Sequence, residues 1–384
     1  DEPDVIVGIW FNNNNLKNKE AIMKKKIGIC IIIALFIFVV IGVASLVKRK
    51  NETSKLEESQ NQVEDGFMEE DNVENIVNEA ENNNNKTPVE VNGKLSVKGK
   101  NIVNKNGEKF VIQGVSTHGI AWFPQYVNEE TFKTLRDDFN VNTIRIAMYS
   151  NQNDGYNESL HTKVSKGVEY AKNLGMYVII DWHILNDNNP NQNKESAKKF
   201  FNEMTEKYKD YDNVIYEICN EPNGNVQWEK DIKPYAKELI TTIREKDKDA
   251  IIIVGTPTWS QDVDIVSKSP IEGENNIVYA LHFYAATHKQ DLRNKLKTAL
   301  DNNLPVLVSE FGICDASGNG NIDINEANNW IQYLRENGIG YVCWNLSNKN
   351  ESSSLLKNTT QKISNWTDEE LSEEGKWLKE TYNK

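Results

Sequence analysis

The stretch YVIIDWH at residues 177–183 is apolar at consecutive positions before it ends in Asp181-Trp182-His183. An amphipathic segment follows at 195–209, and a second apolar run, VIYEIC, occupies 214–219. Strands that are apolar at consecutive positions are covered on both faces, which is the environment of a parallel sheet. This part of the sequence therefore predicts two parallel strands joined by a helical crossover.

The same succession of short apolar runs and amphipathic segments extends over residues 89–384. It predicts strands at 111–116, 143–149, 177–183, 214–219, 251–255, 277–284, 305–311 and 340–346. It predicts helices at 128–138, 161–173, 195–209, 228–246, 289–302, 323–336 and 367–382, with a shorter connection at 261–268. Eight strands with helical crossovers predict an α/β fold, the (β/α)8 TIM barrel. Residues 95–110, with the turn signal Asn106-Gly107, predict a small hairpin that closes the bottom of this barrel.

Residues 27–47 form an uncharged, apolar run between the basic clusters 24–26 and 48–50. At about 1.5 Å of rise per residue, a helix of this length crosses a hydrocarbon core of roughly 30 Å. The run is predicted to be either an uncleaved transmembrane anchor or the apolar region of a signal peptide cleaved after Ala44, and both interpretations stay open. Residues 1–26 are predicted to be an unstructured N-terminal segment.

Residues 48–88 are predicted to be an acidic, disordered linker. Between 51 and 88, eleven acidic residues stand against Lys55 and Lys86, and few residues are apolar. This segment carries most of the chain's net charge of −13, so the domain that follows is only mildly acidic. The overall balance of 57 acidic to 44 basic residues argues against nucleic acid as a partner.

The four cysteines indicate neither a disulfide scaffold nor a zinc module. Cys30 lies in the apolar run at 27–47, and the other three lie in or just after predicted strands, at Cys219, Cys314 and Cys343. We expect these three to be free thiols packed in the core.

Polar and aromatic residues follow every predicted strand, and in a TIM barrel the functional site is built at these C-terminal strand ends. They are His118 and Trp122, Arg145 and Tyr149, Asp181-Trp182-His183, Asn220-Glu221-Pro222, Trp259, His282-Phe283-Tyr284, Ser309-Glu310-Phe311-Gly312, and Trp344-Asn345. One polar residue at a strand end is often a cap or a rim salt bridge. Residues of functional type at all eight ends predict a binding cleft.

Two carboxylates stand out among these residues, Glu221 after the fourth predicted strand and Glu310 after the seventh. These strands face one another across the barrel, so both side chains can reach one bond. Glycoside cleavage needs such a pair, about 5–5.5 Å apart for retention of configuration and about 6.5–9.5 Å apart for inversion. Arg145 can keep one carboxylate ionised while burial raises the pKa of the other, which separates their roles.

The strand-end motifs NEP at 220–222, DWH at 181–183, HFY at 282–284, SEFG at 309–312 and WNLSNK at 344–349 resemble glycoside hydrolase family 5. The sequence is most similar to the bacterial endo-β-1,4-glucanase branch of that family. The resemblance covers nearly all of residues 89–384 in consistent order and none of residues 1–88.

The resemblance implies roles for the strand-end residues in a retaining double displacement. It makes Glu221 the general acid/base and Glu310 the nucleophile. Asn220 is implied to hydrogen-bond the sugar 2-hydroxyl, and Arg145 and Tyr284 to position and ionise Glu310. His183 and His282 are implied to support the acid/base side and the aglycone. The glucose subsites are implied to be lined by His118, Trp122, Tyr149, Trp259, Trp344, Lys349 and Glu351. The resemblance also implies a cis peptide at Trp344–Asn345.

Residues 315–326 match the template of a calcium-binding loop, with oxygen-bearing side chains at positions 1, 3, 5 and 9, Gly320 at position 6 and Glu326 at position 12. That motif belongs between two helices, whereas here a predicted strand leads into it. We therefore expect a turn and a helix N-terminus at this place rather than a calcium site.

The sequence is accordingly expected to encode an extracellular endo-β-1,4-glucanase, secreted or anchored at the cell surface, that needs no metal or cofactor. A monomer acting on β-glucan is expected, with a membrane as partner only if residues 27–47 stay uncleaved. One alternative is the same chemistry on mannan, lichenan or xyloglucan. The other is a non-catalytic glycan-binding surface protein, which the presence of both carboxylates disfavours.

Overall fold

The computed structural model of the protein describes residues 86–384. Its strands are β1 (Ser96–Lys98), β2 (Asn101–Val103), β3 (Gln113–Thr117), β4 (Thr143–Tyr149), β5 (Tyr177–His183), β6 (Val214–Glu217), β7 (Ile252–Val254), β8 (Ile277–Tyr284), β9 (Val306–Gly312) and β10 (Tyr341–Leu346). Strands β3 to β10 form a closed barrel in which each strand pairs in parallel with the next and β10 pairs with β3. The predicted (β/α)8 barrel is confirmed.

Helices pack around the barrel and connect its strands. They are α1 (Pro88–Asn92), α2 (Glu129–Phe139), α3 (Leu160–Asn173), α4 (Lys194–Tyr208), α5 (Lys233–Arg244), α6 (Val263–Val266), α7 (Gln290–Asp301), α8 (Ile324–Asn337) and α9 (Glu373–Tyr382). Short 3₁₀ turns lie at Pro124–Tyr126, Gln152–Asp154 and Pro190–Asn193, and a π-helical turn lies at Trp228–Ile232. The apolar faces of these helices cover the outside of the strands in one continuous core.

Two predicted helices begin later than their sequence pattern suggested. The segment predicted as a helix from 228 opens with the π-helical turn, and α5 follows it with a proline in its first turn, where the missing N–H costs nothing. The last helix begins at Glu373 instead of 367, because Leu371 forms a bridge with Leu356 and Ser372 then caps the helix.

The bottom of the barrel is closed by the N-terminal hairpin, as predicted. Leu95, Ile102 and Phe110 are buried in one cluster with the inward-facing residues of the lower strand halves, such as Ile179 and Ile253. The tight turn of the hairpin lies between β1 and β2, which pair in antiparallel register. The Asn106-Gly107 signal forms a second turn, closed by a bridge from Val103 to Lys109.

The connection after β7 is short, as predicted, and its backbone is unusual. Three consecutive residues that are not glycine, Thr258, Trp259 and Ser260, have φ values of 57°, 54° and 56°. Such left-handed conformations cost energy for residues with a Cβ and persist only where surrounding contacts fix them. Here the Trp259 N–H donates to Pro222 O at 3.0 Å, and the Ser260 hydroxyl donates to Asn220 O at 2.7 Å.

Several predictions concern parts of the chain beyond this fold. The apolar run at 27–47, the segment 1–26 and most of the linker at 48–88 lie outside the described residues. Within residues 86–384, no helix is both long enough and apolar enough to span a bilayer. Cys219, Cys314 and Cys343 are free and buried, which confirms that expectation.

Candidate active site

The C-terminal ends of the barrel strands surround a cavity of about 520 Å³. Its lining includes eleven of the residues proposed from sequence: His118, Tyr149, His183, Glu221, Trp259, His282, Tyr284, Glu310, Trp344, Lys349 and Glu351. The walls also contain residues that the sequence did not single out: Leu185, Gln261, His288, Ala316, Ser317, Gly318 and Ser353. The register of a parallel barrel thus brings distant segments of the chain to one place.

Glu221 and Glu310 meet in this cavity. One carboxylate oxygen of Glu221, one of Glu310 and a ring nitrogen of His282 all lie within 4.8 Å of one another. The two oxygens are thus far closer than the separation of about 6.5–9.5 Å used by inverting glycosidases and near the value of about 5–5.5 Å typical of retaining ones.

Glu310 is held by hydrogen bonds that favour its ionised form. Arg145 donates from one Nη to Glu310 Oε2 at 3.1 Å, and the Tyr284 hydroxyl donates to Glu310 Oε1 at 2.7 Å. Burial and the nearby Glu221 charge raise the pKa of Glu310, and the positive charge of Arg145 opposes that rise. The side chain is oriented by donors on both oxygens, as a nucleophile requires.

Glu221 has a different environment. Its Oε1 lies 2.9 Å from Nδ1 of His282, and the residue is buried at the cavity wall. Burial raises the pKa of Glu221 to about 8, and Arg145 lowers it less strongly. A carboxyl whose pKa is raised this far, beside one that accepts hydrogen bonds from a guanidinium and a phenol, is the arrangement of an acid and a nucleophile.

Arg145 is the centre of a fully buried charge network that the sequence predicted only in part. Besides Glu310 it contacts Asp181 Oδ2 at 3.0 Å and Glu217 Oε2 at 2.7 Å, and it donates to Asn220 Oδ1 at 2.6 Å. Glu217 was not singled out from the sequence, and Asp181 was noted at a strand end without an assigned role. The signal was available, because each is an acidic residue inside an otherwise apolar strand, where a charge needs a partner.

Asn220 and His183 are held by each other and by the backbone. The Asn220 Nδ2 lies 3.2 Å from Nε2 of His183 and donates to Ile184 O at 3.1 Å. On its other side, His183 Nδ1 lies 2.7 Å from Asp181 Oδ2. The structure thus places His183 against Asn220, the neighbour of Glu221, while His282 alone of the two histidines contacts Glu221 directly.

A second polar group lies on the side of the cavity formed by β3 and β10. Lys349 and Glu351 form an ion pair at 2.6 Å, and His118 Nε2 lies 3.7 Å from the same carboxylate. The ring of Trp344 stacks on His183, with the ring centres 5.0 Å apart and the planes at 16°. The Trp344–Asn345 peptide is cis, as the family resemblance implied.

Two tryptophans expose broad faces near the cavity. Trp259, on the left-handed turn, is 44% exposed and lines the cavity wall. Trp122 is 57% exposed and lies outside the cavity lining, with its indole N–H donating to Asp154 O at 3.0 Å. Both indole rings are therefore accessible to a ligand.

The 315–326 segment is a turn followed by a helix N-terminus, as expected. Asp323 accepts from the Glu326 N–H as the N-cap of α8, and its other oxygen pairs with Lys289 at 2.8 Å. Glu326 pairs with Arg293. The acidic side chains at template positions 9 and 12 are therefore bound to cations of the protein itself.

The atoms of Glu221, His282 and Glu310 are also close enough together to attract a metal ion. The guanidinium of Arg145, 3.1 Å from Glu310, places a positive charge beside that position and opposes a second cation. The arrangement fits acid–base and nucleophilic chemistry carried out by the side chains themselves.

Comparison with known proteins agrees with this geometry. A sequence model described as Cellulase (glycosyl hydrolase family 5) matches residues 103–350. Endoglucanase A of Butyrivibrio fibrisolvens is 46% identical over 318 residues, which make up 81% of this chain and 72% of that protein. Endoglucanase N of Pectobacterium atrosepticum is 47% identical over 296 residues, or 77% of this chain and 66% of that protein. The chain thus spans roughly two thirds of the length of these relatives.

Solved structures show the same architecture. The catalytic domain of a Thermobifida fusca endoglucanase, in complex with cellotetraose, is 34% identical with a TM-score of 0.74, and the match covers 78% of this chain and 100% of that domain. A structure from Cytophaga hutchinsonii is 39% identical with a TM-score of 0.75, covering 78% of this chain and 97% of that one. With its strand-end carboxylates and these matches, the chain belongs to glycosyl hydrolase family 5, the cellulase family, and is a glycoside hydrolase.

Proposed function

We propose that this chain is an endo-β-1,4-glucanase, which hydrolyses internal bonds of cellulose with retention of anomeric configuration. The observation that carries the proposal is the pairing of Glu221 and Glu310, with oxygens within 4.8 Å of each other and different hydrogen-bond partners. The names of the relatives support the substrate, since both curated relatives described above are endoglucanases.

In the first step, the Glu310 carboxylate attacks the anomeric carbon while Glu221 donates its proton to the departing glycosidic oxygen. The bond to the aglycone breaks and an ester between the sugar and Glu310 forms. Arg145 and Tyr284 hold the attacking carboxylate in place, which reduces the entropy lost in reaching the transition state.

In the second step, the Glu221 carboxylate takes a proton from water as that water attacks the same carbon. The ester bond to Glu310 breaks, and Glu221 is again protonated. Two displacements on one carbon restore the original configuration. His282, whose Nδ1 lies 2.9 Å from Glu221 Oε1, positions the Glu221 carboxyl in the resting enzyme.

The aromatic side chains provide the surface on which a glucan chain is proposed to bind. Trp344 and Tyr149 lie in the cavity wall, and Trp259 extends the same wall towards solvent. Flat aromatic faces suit the apolar faces of pyranose rings, while His118, Lys349 and Glu351 offer polar atoms to hydroxyl groups. Trp122 lies farther out, where it would meet a longer chain.

We also propose that the enzyme acts outside the cytoplasm, secreted or held at the cell surface. An insoluble polymer does not enter a cell, so an enzyme that degrades it has to be exported. The apolar run at 27–47 supports this location as either an anchor or a signal region. Treating intact cells with a protease and measuring lost cellulase activity tests it, and full protection in intact cells would contradict it.

Parallel assays on carboxymethyl cellulose and on galactomannan test the proposed activity. The wild type is expected to hydrolyse the cellulose derivative, and Glu310→Gln is expected to lose that activity by several orders of magnitude. Glu326→Gln is the matched control, because it makes the same change at a carboxylate paired with Arg293 outside the cavity. Turnover of mannan alone would contradict the substrate, and unchanged turnover by Glu310→Gln would indicate a protein that binds glycan without cleaving it.

A further inference from the structure

A chain of buried hydrogen bonds runs from Glu221 to a carboxylate that the proposed mechanism does not use. Glu221 Oε1 lies 2.9 Å from Nδ1 of His282, and Nε2 of the same ring lies 2.9 Å from the Ser309 hydroxyl. The Ser309 hydroxyl lies 2.7 Å from Glu217 Oε1. At its far end, Glu217 Oε2 accepts from Arg145 Nε at 2.7 Å. All five residues are buried, so solvent does not compete for these bonds.

The direction of each bond follows from Glu217. Burial raises the pKa of Glu217, and the charge of Arg145 opposes that rise. Arg145, which has only N–H donors, donates to Oε2, and the Ser309 hydroxyl donates to Oε1, so both carboxylate oxygens accept. An ionised carboxylate only accepts hydrogen bonds. Ser309 therefore gives its single hydroxyl proton to Glu217, and its oxygen is left to accept from Nε2 of His282.

The ring of His282 then has one possible tautomer. Burial lowers the pKa of His282 to about 4, so the imidazole is neutral near pH 7 and carries one N–H. Because that N–H points from Nε2 to Ser309, Nδ1 presents a lone pair to Glu221. A hydrogen bond across that 2.9 Å gap exists only when Glu221 supplies the proton.

We propose that Glu217, acting through Ser309, is a positioning residue that fixes the Nε2–H tautomer of His282 and so keeps the acid/base proton on Glu221. The inference rests on the proposed function for the role of Glu221. It adds the residues that hold the acid proton on Glu221 in the resting enzyme, and this proton leaves its bond to His282 when Glu221 protonates the glycosidic oxygen. Neither Glu217 nor Ser309 lines the cavity. Ser309 reaches the reaction through His282, whereas Glu217 also contacts Arg145, so Ser309→Ala isolates the link to the histidine.

Other charged groups around Glu221 and His282 also influence these protons. They come from every neighbouring strand: Arg145 and Tyr149 of β4, Asp181 and His183 of β5, Tyr284 of β8, and Glu310 of β9. None of these donates to or accepts from Nε2 of His282 within the described part of the chain, where the partner is Ser309. The tautomer is therefore a property of the Ser309–Glu217 pair.

Two variants change the chain of bonds in different ways. Glu217→Gln is nearly isosteric. Its amide oxygen still accepts from Arg145, while its amide nitrogen donates to Ser309, so the bonds from there to His282 and Glu221 reverse and the His282 proton lies on Nδ1. Ser309→Ala removes the link without changing charge, and frees the ring to take the Nδ1–H form. In both variants a donor at Nδ1 stabilises the Glu221 carboxylate and lowers its pKa.

The first test is the tautomer itself, measured by NMR on protein labelled with ¹⁵N-histidine. The chain has five histidines, so the spectrum is simple, and the His282 signals are assigned by their loss in His282→Asn. The wild type is expected to show the Nε2–H form and Glu217→Gln the Nδ1–H form. An Nδ1–H form in the wild type would overturn the proposal, whether or not the variants fold.

The second test is kinetic, with Ser116→Ala as control, since Ser116 is a buried serine that contacts Arg145 but not His282. In Glu217→Gln and Ser309→Ala, the alkaline limb of kcat/KM on a soluble β-glucan is expected to move down by about one pH unit. In both variants, kcat/KM should fall less on dinitrophenyl cellobioside than on the β-glucan, because the leaving group of this substrate needs no proton. If both variants keep the wild-type alkaline limb of kcat/KM and the wild-type tautomer of His282, the inference is overturned. A wild type inactive on every β-glucan would instead refute the proposed function and leave the tautomer result standing.

Discussion

Glu310 accepts a hydrogen bond from Arg145 at 3.1 Å, whereas Glu221, with an oxygen within 4.8 Å of Glu310, is hydrogen-bonded to His282 at 2.9 Å. A guanidinium at contact distance stabilises a carboxylate, and a neutral imidazole in a buried wall does so far less. The two glutamates are therefore chemically distinct although they occupy one cavity. Strands β4 and β8 create this difference, since they supply Arg145 and His282.

The first prediction concerns the pH dependence of kcat/KM. Glu221 works as an acid, so activity falls as pH rises through its pKa of about 8. Glu310 works as a carboxylate, so activity falls as pH drops through its pKa, which burial raises above the usual range. A bell-shaped profile with its alkaline limb near pH 8 is expected on soluble β-glucan. An alkaline limb retained by Glu221→Gln would assign that limb to another group.

The second prediction separates the two carboxylates with azide, a small anion that fills the space of a missing side chain. Glu221→Ala loses acid catalysis, an effect of about 10²–10⁴-fold on natural substrates, and keeps turnover on an aryl cellobioside with a good leaving group. In this variant azide should attack the sugar ester on Glu310 and give a β-glycosyl azide. In Glu310→Ala azide should replace the nucleophile and give the α-product. Identical products from both variants would refute the assigned roles.

The third prediction concerns Glu374, a fully buried carboxyl at the start of α9. Burial raises the pKa of Glu374 to about 8, and its Oε2 has no hydrogen-bond partner among the described residues. Between the ordinary pKa of an unfolded chain and about pH 8, the unfolded state releases a proton that the folded state keeps. Glu374 therefore lowers the free energy of unfolding as pH rises.

Glu374→Gln removes this pH-dependent loss of stability. The free energy of unfolding of the variant, relative to that of the wild type, should therefore rise by up to about 1.4 kcal/mol per pH unit. Urea unfolding at pH 5 and at pH 7.5 measures the difference. The control is Glu373→Gln, the exposed neighbour on the same helix, whose relative stability should be alike at both pH values. An equal effect of Glu374→Gln at the two pH values would show that this carboxyl is ionised in the folded protein.

The fourth prediction concerns calcium. Because Asp323 and Glu326 are paired with Lys289 and Arg293, the 315–326 segment lacks free acidic oxygens at two of its template positions. Calorimetric titration should detect no micromolar calcium binding, and a chelator should leave the melting temperature unchanged. Micromolar binding that Asp315→Ala abolishes would contradict this.

The barrel itself followed from the sequence because its signal is local and repeated. The run YVIIDWH begins with four consecutive apolar residues, a pattern typical of a strand covered on both faces, and β5 has the predicted limits. The convergence of Glu221 and Glu310 followed from the same topology, since strand ends of a parallel barrel share one face.

Other features depend on contacts between segments that are far apart in the sequence. The left-handed turn at Trp259 is fixed by backbone acceptors on Asn220 and Pro222, and the sequence around the turn does not predict it. In the sequence, Glu217 is an isolated acidic residue in an apolar strand. Only the folded structure shows that Arg145 and Ser309 lie beside it. Trp122 was expected in the cavity lining, but its hydrogen bond to Asp154 holds it farther out.

The most direct test of the account is proton NMR of the anomeric signals as the enzyme hydrolyses cellopentaose. Two carboxylates this close, one placed as the acid and one as the nucleophile, predict that new reducing ends first appear as the β-anomer and reach the α/β equilibrium only later. First appearance of the α-anomer would show inversion and contradict the double displacement at Glu221 and Glu310.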